Sequence, residues 1–236
     1  MQNDVLDSEY GETESASGAG GASLVDRAVD RSLAARRTAV AAEVGRLVEA
    51  AFVLIQRTGA VEPRVSEIIA EAGLSNQAFY KHFRSKHELL VAVLDEGVRI
   101  LASYLEHRMS QVDSPRDQVR EWVRGMLEQA LAERGAEATR PFVLSRARLA
   151  ESLPEEVARS EQQLTEPLLA ALTRAVEVGE LPQADPTRDS ETLYHITMGW
   201  VKARLQDAAA PSREDAQRLE EFALAGLTRN VSGQAR

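Results

Sequence analysis

The 236-residue chain has no cysteine. Its absence excludes disulfides, thiolate zinc sites and cysteine nucleophiles, and fits a reducing cytoplasm. There are only four histidines, His82, His87, His107 and His195. The first two lie five positions apart, not the four that place two imidazoles on one helix face for zinc. No glycine-rich phosphate loop occurs, and the acidic pairs Glu155-Glu156 and Glu220-Glu221 are most simply solvated helix surface. The inventory thus offers no catalytic site, no metal site and no cofactor site, and an enzyme is not expected. No apolar run approaches the ~20 residues of a membrane span. The opening MQNDVLDSEYGETE is acidic and polar, unlike a secretory signal. Strand-period alternation and internal repeats are also missing. What remains is a chain of ordinary apolar content, 44%, whose periodicity is helical from end to end.

Net charge is −9, and its distribution is uneven. Residues 1–30 carry −6, residues 36–90 carry +2, and residues 91–236 carry −6. The basic stretch encloses Val65 to Leu90, VSEIIAEAGLSNQAFYKHFRSKHELL. Val65, Ile68, Ile69 and Ala72 form the stripe of a short amphipathic helix, ended by Gly73. Ser75 is a good N-cap for a second helix with Phe79 and Phe83 on its inner face. Asn76, Gln77, Tyr80, Lys81 and His82 are left on the other faces. Ser85 and Glu88 make an S-x-x-E capping box that opens a longer helix. Two short helices around a glycine turn, the second with a hydrogen-bonding outer face, form a helix-turn-helix.

These residues resemble the DNA-binding signature of the TetR family of bacterial transcription repressors: Ala72-Gly73-Leu74-Ser75, Phe79-Tyr80-Lys81-His82-Phe83, Ser85-Lys86 and Glu88-Leu89-Leu90. The resemblance covers roughly Arg36 to Leu94. Two positions depart from it: Arg64 stands where a capping Thr is usual, and Ile69 where a small Ala is usual. By the resemblance, Asn76, Gln77, Ala78, Lys81 and His82 read bases, since amides pair with adenine, Lys donates to guanine and the Ala methyl meets a thymine methyl. Tyr80 and Lys86 contact phosphate, with Arg64, Ser66 and the cap Ser75 beside them.

The expected fold is all-α, with about nine helices. Residues 1–35 read as a disordered acidic tail, because few large apolar groups offset the entropy of ordering. Residues 36–84 are the DNA-binding domain, its first helix running from Arg37 to Thr58. Arg31, Arg36 and Arg37 are either an arm for the DNA groove or solvated charge. Residues 85–236 form a helical regulatory and dimerisation domain. Helices start at Ser114-Pro115 and end near Gly135, start after Pro141, open at a Ser152–Glu155 capping box and end at Gly179, span Asp189 to Ala208, and run from Pro211-Ser212 to about Asn230.

The helix over 189–208 is apolar on two sides, so one side needs a partner. By the resemblance the last two helices of two copies form a four-helix bundle, with Leu193, Ile196, Trp200, Leu219, Phe222 and Leu227 at the interface. Tyr104, Trp122, Met126, Phe142, Tyr194 and Met198 are core candidates that can also line an effector pocket. Few aromatics and abundant Leu, Val and Ala lean toward a hydrophobic, acyl-like ligand. Arg140, Arg146 and Arg148 either meet a negative group on that ligand or form a solvated face balanced by acids.

The reading is a cytoplasmic, homodimeric repressor released from a palindromic double-stranded operator by a small effector, with no membrane partner. Two alternatives stay open: a DNA-binding regulator without effector, which lack of a cavity would favour, and a helical adaptor with a vestigial motif.

Overall fold

The computed structural model describes residues 23–59, 62–131, 133–206 and 212–228, the side chains of 133, 134 and 138 excepted. Among them are nine helices and no strand: α1 Leu24–Thr58, α2 Val65–Ala72, α3 Asn76–His82, α4 Lys86–Met109, α5 Pro115–Leu131, α6 Glu133–Ser152, α7 Pro154–Glu177, α8 Pro186–Gln206 and α9 Arg213–Leu227. Two compact units divide the chain at Ala42 and Glu43.

In the first unit α1 begins twelve or more residues earlier than its apolar stripe suggests. The expectation of a disordered tail through residue 35 fails over Leu24–Ala35, while residues 1–22 lie outside the described residues. A local signal accounts for the early start. Ser23 accepts from Asp26 N–H at 3.1 Å, and Asp26 accepts from Ser23 N–H at 3.0 Å, a reciprocal cap. Alanine-rich sequence then propagates the helix at little entropic cost. Leu24, Val25, Val29 and Leu33 are exposed, as are Arg31, Arg36 and Arg37.

The second unit holds two main cores. One gathers Leu47, Ala51, Leu54 and Ile55 of α1, Ile68 of α2, Phe79, Phe83, and Leu89, Leu90, Val93 and Leu94 of α4. Leu149 of α6 and Val157 of α7 complete it, so the helix-turn-helix shares its core with the helices behind it. The other gathers Ala102, Leu105 and Met109 of α4 with apolar faces of α5, α7, α8 and α9 around the fully buried Trp122. Trp122 Nε1–H donates to the Leu164 carbonyl at 2.8 Å, which satisfies its polar edge. Helix α4 therefore serves both cores. Between Leu94 and Ala102 it belongs fully to neither, and Val98 touches both.

Most helix starts follow local capping chemistry. Ser212 accepts from Asp215 N–H at 3.0 Å, and Ser114 from Asp117 N–H at 3.2 Å. Before α8 the Asp185 side chain accepts from Arg188 N–H at 3.1 Å, and the Asp189 carboxylate accepts from Asp185 N–H at 2.8 Å. Two boundaries differ from expectation. α6 begins at Glu133 and runs through both Gly135 and Pro141. A proline inside a helix forfeits a hydrogen bond, but Pro141 is buried, and packing offsets that loss. Ser152 is the last residue of α6, not a cap; Leu153 takes the N-cap place of α7, without a side-chain bond, and Pro154 supplies the helical φ of the first turn. The expected ends at Ala208 and Asn230, and Pro211, lie outside the described residues.

Truncating the side chain on which the second core centres, Trp122→Ala, is expected to cost about 3–5 kcal/mol. Urea unfolding followed by circular dichroism measures it; a loss below 1 kcal/mol would contradict the packing.

Candidate nucleic-acid interface and regulatory cavity

The turn between α2 and α3 is built by the backbone. Gly73 has φ 63°, where a side chain would be strained. Its N–H and that of Leu74 return to the carbonyls of Ala70 and Ile69, closing α2. Ser75 then accepts from Ala78 N–H at 3.1 Å and starts α3. Phe79 is fully buried and Phe83 nearly so, which fixes the rotation of α3. Asn76, Gln77, Tyr80 and Lys81, at i, i+1, i+4 and i+5, are consequently all exposed on one face. The Tyr80 ring stands edge-on to Phe79, centroids 5.1 Å apart, which holds the phenol outward.

His82 does not share that face. Its side chain is 5% exposed, and its Nε2–H donates to Glu43 of α1 at 2.6 Å. The expectation that it reads bases is thus corrected: it braces α3 against α1, because its position on the helix turns it inward with Phe79. Ala78 is half-buried on the same flank. Lys81 also bonds Glu43, at 3.0 Å, but remains 56% exposed and can exchange this partner for a phosphate. The His82 and Lys81 hydrogen bonds, in that order, hold the Glu43 carboxyl below its ordinary range.

The start of α2 shows how the departure at Arg64 is accommodated. Arg64 makes no side-chain cap; the Glu67 carboxylate accepts from Arg64 N–H at 2.8 Å instead. The guanidinium is left exposed beside Ser66. Ile69 is half-buried against the first core. At the start of α4, Ser85 accepts from Glu88 N–H at 3.1 Å, while Glu88 reaches one residue further back, to Arg84 N–H at 2.6 Å. Lys86 is paired with Glu62 at 2.8 Å, and Glu62 also accepts from Arg148 of α6 at 2.6 Å. Lys86 first and Arg148 second hold the Glu62 carboxyl at about 2. Neither partner was legible, since both pairings join residues far apart in the chain.

Behind the motif lies a cavity of about 410 Å³. It fills the gap that the two cores leave along α4: Leu94, Gly97, Val98, Ile100, Leu101 and Tyr104 form one wall. The Phe142 ring sits 3.9 Å from where a Cβ of Gly97 would stand, so ring and helix meet at ordinary contact distance there. Of the expected pocket residues, Tyr104, Phe142, Tyr194 and Met198 line it. Trp122 and Met126 do not; of their two readings, core and pocket, the core one holds, and both are buried in the second core. Missed were Phe52 and Gln56, contributed by α1, and Glu161; of the three arginines considered for the ligand, Arg146 lines the cavity. Arg146 is ion-paired with Glu161, and Arg148 with Glu62; Arg140 is exposed.

The proposed interface residues divide as well. Leu193 and Leu227 are buried in the protomer's own core, and Trp200 and Leu219 pack partly against it. Ile196 is half-buried, and Phe222 is 58% exposed. Nothing lies within 4 Å of a Cβ added at Gly199 or Gly226. No helix among the described residues is long and apolar enough to cross a membrane.

Residues 47–93 match the profile of bacterial regulatory proteins of the tetR family. Among solved structures, a TetR-family transcriptional regulator from Pectobacterium atrosepticum is similar at 21% identity and a TM-score of 0.63, covering 81% of this chain and 93% of its own. The transcriptional regulator FadR from Bacillus subtilis, in complex with stearoyl-CoA, is similar at 16% identity and a TM-score of 0.58, covering 79% and 98%. RolR in complex with resorcinol is similar at 15% identity and a TM-score of 0.62, covering 80% and 89%. These likenesses show a common fold. No curated protein matches the chain significantly.

The depressed Glu62 carboxyl makes a signed prediction. Its ordinary value is 4.5 and its folded value about 2. Its contribution to stability is therefore complete above pH 4.5 and lost as pH falls through 2. The stability difference between wild type and Glu62→Gln, from urea unfolding at a series of pH values, should shrink steadily across that window. A difference independent of pH would show that the bridge to Lys86 and Arg148 does not hold in solution.

Proposed function

We propose that this chain, whose residues 47–93 match the tetR family of bacterial regulatory proteins, is a homodimeric transcriptional repressor released from a palindromic operator by a small, largely hydrophobic effector. The carrying observation is that α4 begins at Lys86, beside the reading helix, and lines the cavity with six of its residues further on. A ligand that fits the cavity better in a second arrangement of α4 would shift the population toward it, by as much as its affinities for the two arrangements differ. The DNA unit would move with α4, because both are packed in one core.

Asn76, Gln77 and Lys81, with the Ala78 methyl on the flank, are assigned to base edges. Tyr80, Lys86, Arg64 and Ser66 are assigned to phosphates, and Ser75 to the helix start that orients them. One helix of seven residues reads too few base pairs for specificity, so two copies are needed. The surface of α8 and α9 that carries Phe222, Ile196, Gly199 and Gly226 supports pairing there: an exposed aromatic with glycines lets two backbones approach closely. Capture of FadR with stearoyl-CoA and of RolR with resorcinol supports a ligand site in this fold. Those ligands are chemically unlike, so the lining of this cavity decides the ligand here. The cavity itself weighs against a regulator without effector, and the exposed polar face of α3 against a vestigial motif. The proposed site of action is the cytoplasm, where the operator lies.

Fluorescence anisotropy on DNA from the gene's upstream region tests DNA recognition. Affinity is expected to fall by ~10³–10⁵ between about 50 and 200 mM salt. Gln77→Ala should relax specificity at one base pair by about 1–3 kcal/mol, and Tyr80→Ala should weaken all sequences alike. Binding indifferent to sequence and to both substitutions would sink the repressor reading.

Dimerisation is tested separately. Phe222→Glu should yield monomers in analytical ultracentrifugation, with helical circular dichroism retained and operator binding lost. A variant that remains dimeric would place the interface elsewhere.

A further inference from the structure

The cavity's charged groups define what it can accept. Among the described residues only two of the lining, Arg146 of α6 and Glu161 of α7, carry a full charge, and they are ion-paired to each other through Nε and Oε1. Tyr194 of α8 lies against both and is itself buried. Burial first, and the Glu161 carboxylate second, push its phenol upward, so it stays a neutral hydroxyl that can both donate and accept. The remaining polar groups are uncharged. Thr139 donates weakly to Gln129 at 3.5 Å, and the Tyr104 hydroxyl is engaged by Glu128 and Arg108. Gln56 and Ser160 are further uncharged polar residues of the lining, Ser160 donating to Asp95 at 2.6 Å, and the rest of the wall is hydrocarbon, led by Leu94, Leu101, Phe142 and Leu164.

Resting on the reading of this cavity as the effector site, we propose that its ligand is an uncharged molecule, apolar along most of its length, with one hydroxyl or carbonyl group seated on Arg146, Glu161 and Tyr194, and that the site selects against carboxylates and ammonium groups. The polar cluster has no net charge, so it offers no counterion. An entering carboxylate either lies beside Glu161 or displaces it from Arg146, leaving one anion unpaired in an apolar wall. An ammonium group faces the Arg146 guanidinium in the same way. A neutral hydroxyl accepts from an Arg146 guanidinium N–H or from Tyr194 and donates to Glu161, with the ion pair intact. The volume suits a ligand on the order of 15 non-hydrogen atoms.

The test uses the full chain and four probes with one ten-carbon chain: 1-decanol, 2-decanone, decanoate and decylammonium. Binding is read by calorimetry and operator release by anisotropy. Decanol and decanone are expected to bind at least about 10-fold more tightly than either ion. Glu161→Gln leaves Arg146 unopposed, and should swing the preference toward decanoate by 10-fold or more. Tyr194→Phe, a milder change, should weaken decanol by about 2–10-fold and leave decanoate unchanged. Decanoate binding best to the wild type, or an alcohol-to-carboxylate ratio that neither variant alters, overturns this inference while leaving the effector site standing. Failure of all four probes to bind a protein that still grips its operator overturns the effector reading and the inference together.

Discussion

Helix α4 has to be buried in two cores at once. Its first turns, with Leu89, Leu90, Val93 and Leu94, belong to the core of the helix-turn-helix; its last turns, with Ala102, Leu105 and Met109, belong to the core around Trp122. A packed helix does not bend cheaply between two such anchors, because close-packed interiors transmit displacement instead of absorbing it. The cavity is a consequence of the same constraint. Over Gly97 to Leu101 neither core closes on the helix, and the unfilled space is bounded by α6, α7, α8, Gln129 of α5 and two side chains of α1. The place where a ligand can enter is thus the place where the rod linking the two cores is least supported.

Charge is arranged so that the cations near the reading helix are held without being consumed. Lys81 and Lys86 are each paired with an acid, Glu43 and Glu62, at partly exposed positions. Pairs of this kind contribute little to stability and are exchanged readily. A phosphate can take the lysine at small cost, and the net charge of −9 is no obstacle, because the surplus acid lies outside the motif. Glu62 adds a further tie, since the same carboxylate holds Arg148 on α6, two residues from the cavity-lining Arg146. Asp95 of α4 similarly accepts from Ser160 and Gln163 of α7. The helix-turn-helix end of the protein is therefore stitched to the cavity helices by polar contacts as well as by shared hydrocarbon.

The motif was the most legible part of the chain. Its ingredients are local: a glycine with positive φ, serine caps three residues from their donors, and phenylalanines one turn apart. The outward placement of Asn76, Gln77, Tyr80 and Lys81 follows from burying Phe79 and Phe83. His82 was misread because helical spacing alone puts it at the edge of that face, and only the presence of Glu43 on α1 draws it in. Trp122 and Met126 stayed ambiguous between core and pocket for a related reason. An apolar stripe announces burial but does not say whether the neighbour is another stripe or an opening.

By itself the sequence determined that the chain is helical, where most helices start, and that residues 65–90 make a helix-turn-helix with a polar outer face. Those properties are set by hydrogen bonds and side-chain spacing within a few residues of one another. It also determined that the chain has no cysteine to serve as nucleophile, thiolate ligand or disulfide partner. Tertiary structure alone decided that Phe52 and Gln56 reach the cavity, that Arg146 is neutralised by Glu161, that Lys86 and Arg148 share Glu62, and that Leu193 and Leu227 turn inward. Each of these depends on which faces of distant helices come together. That choice is made by the packing of all the helices jointly, and no local pattern encodes it.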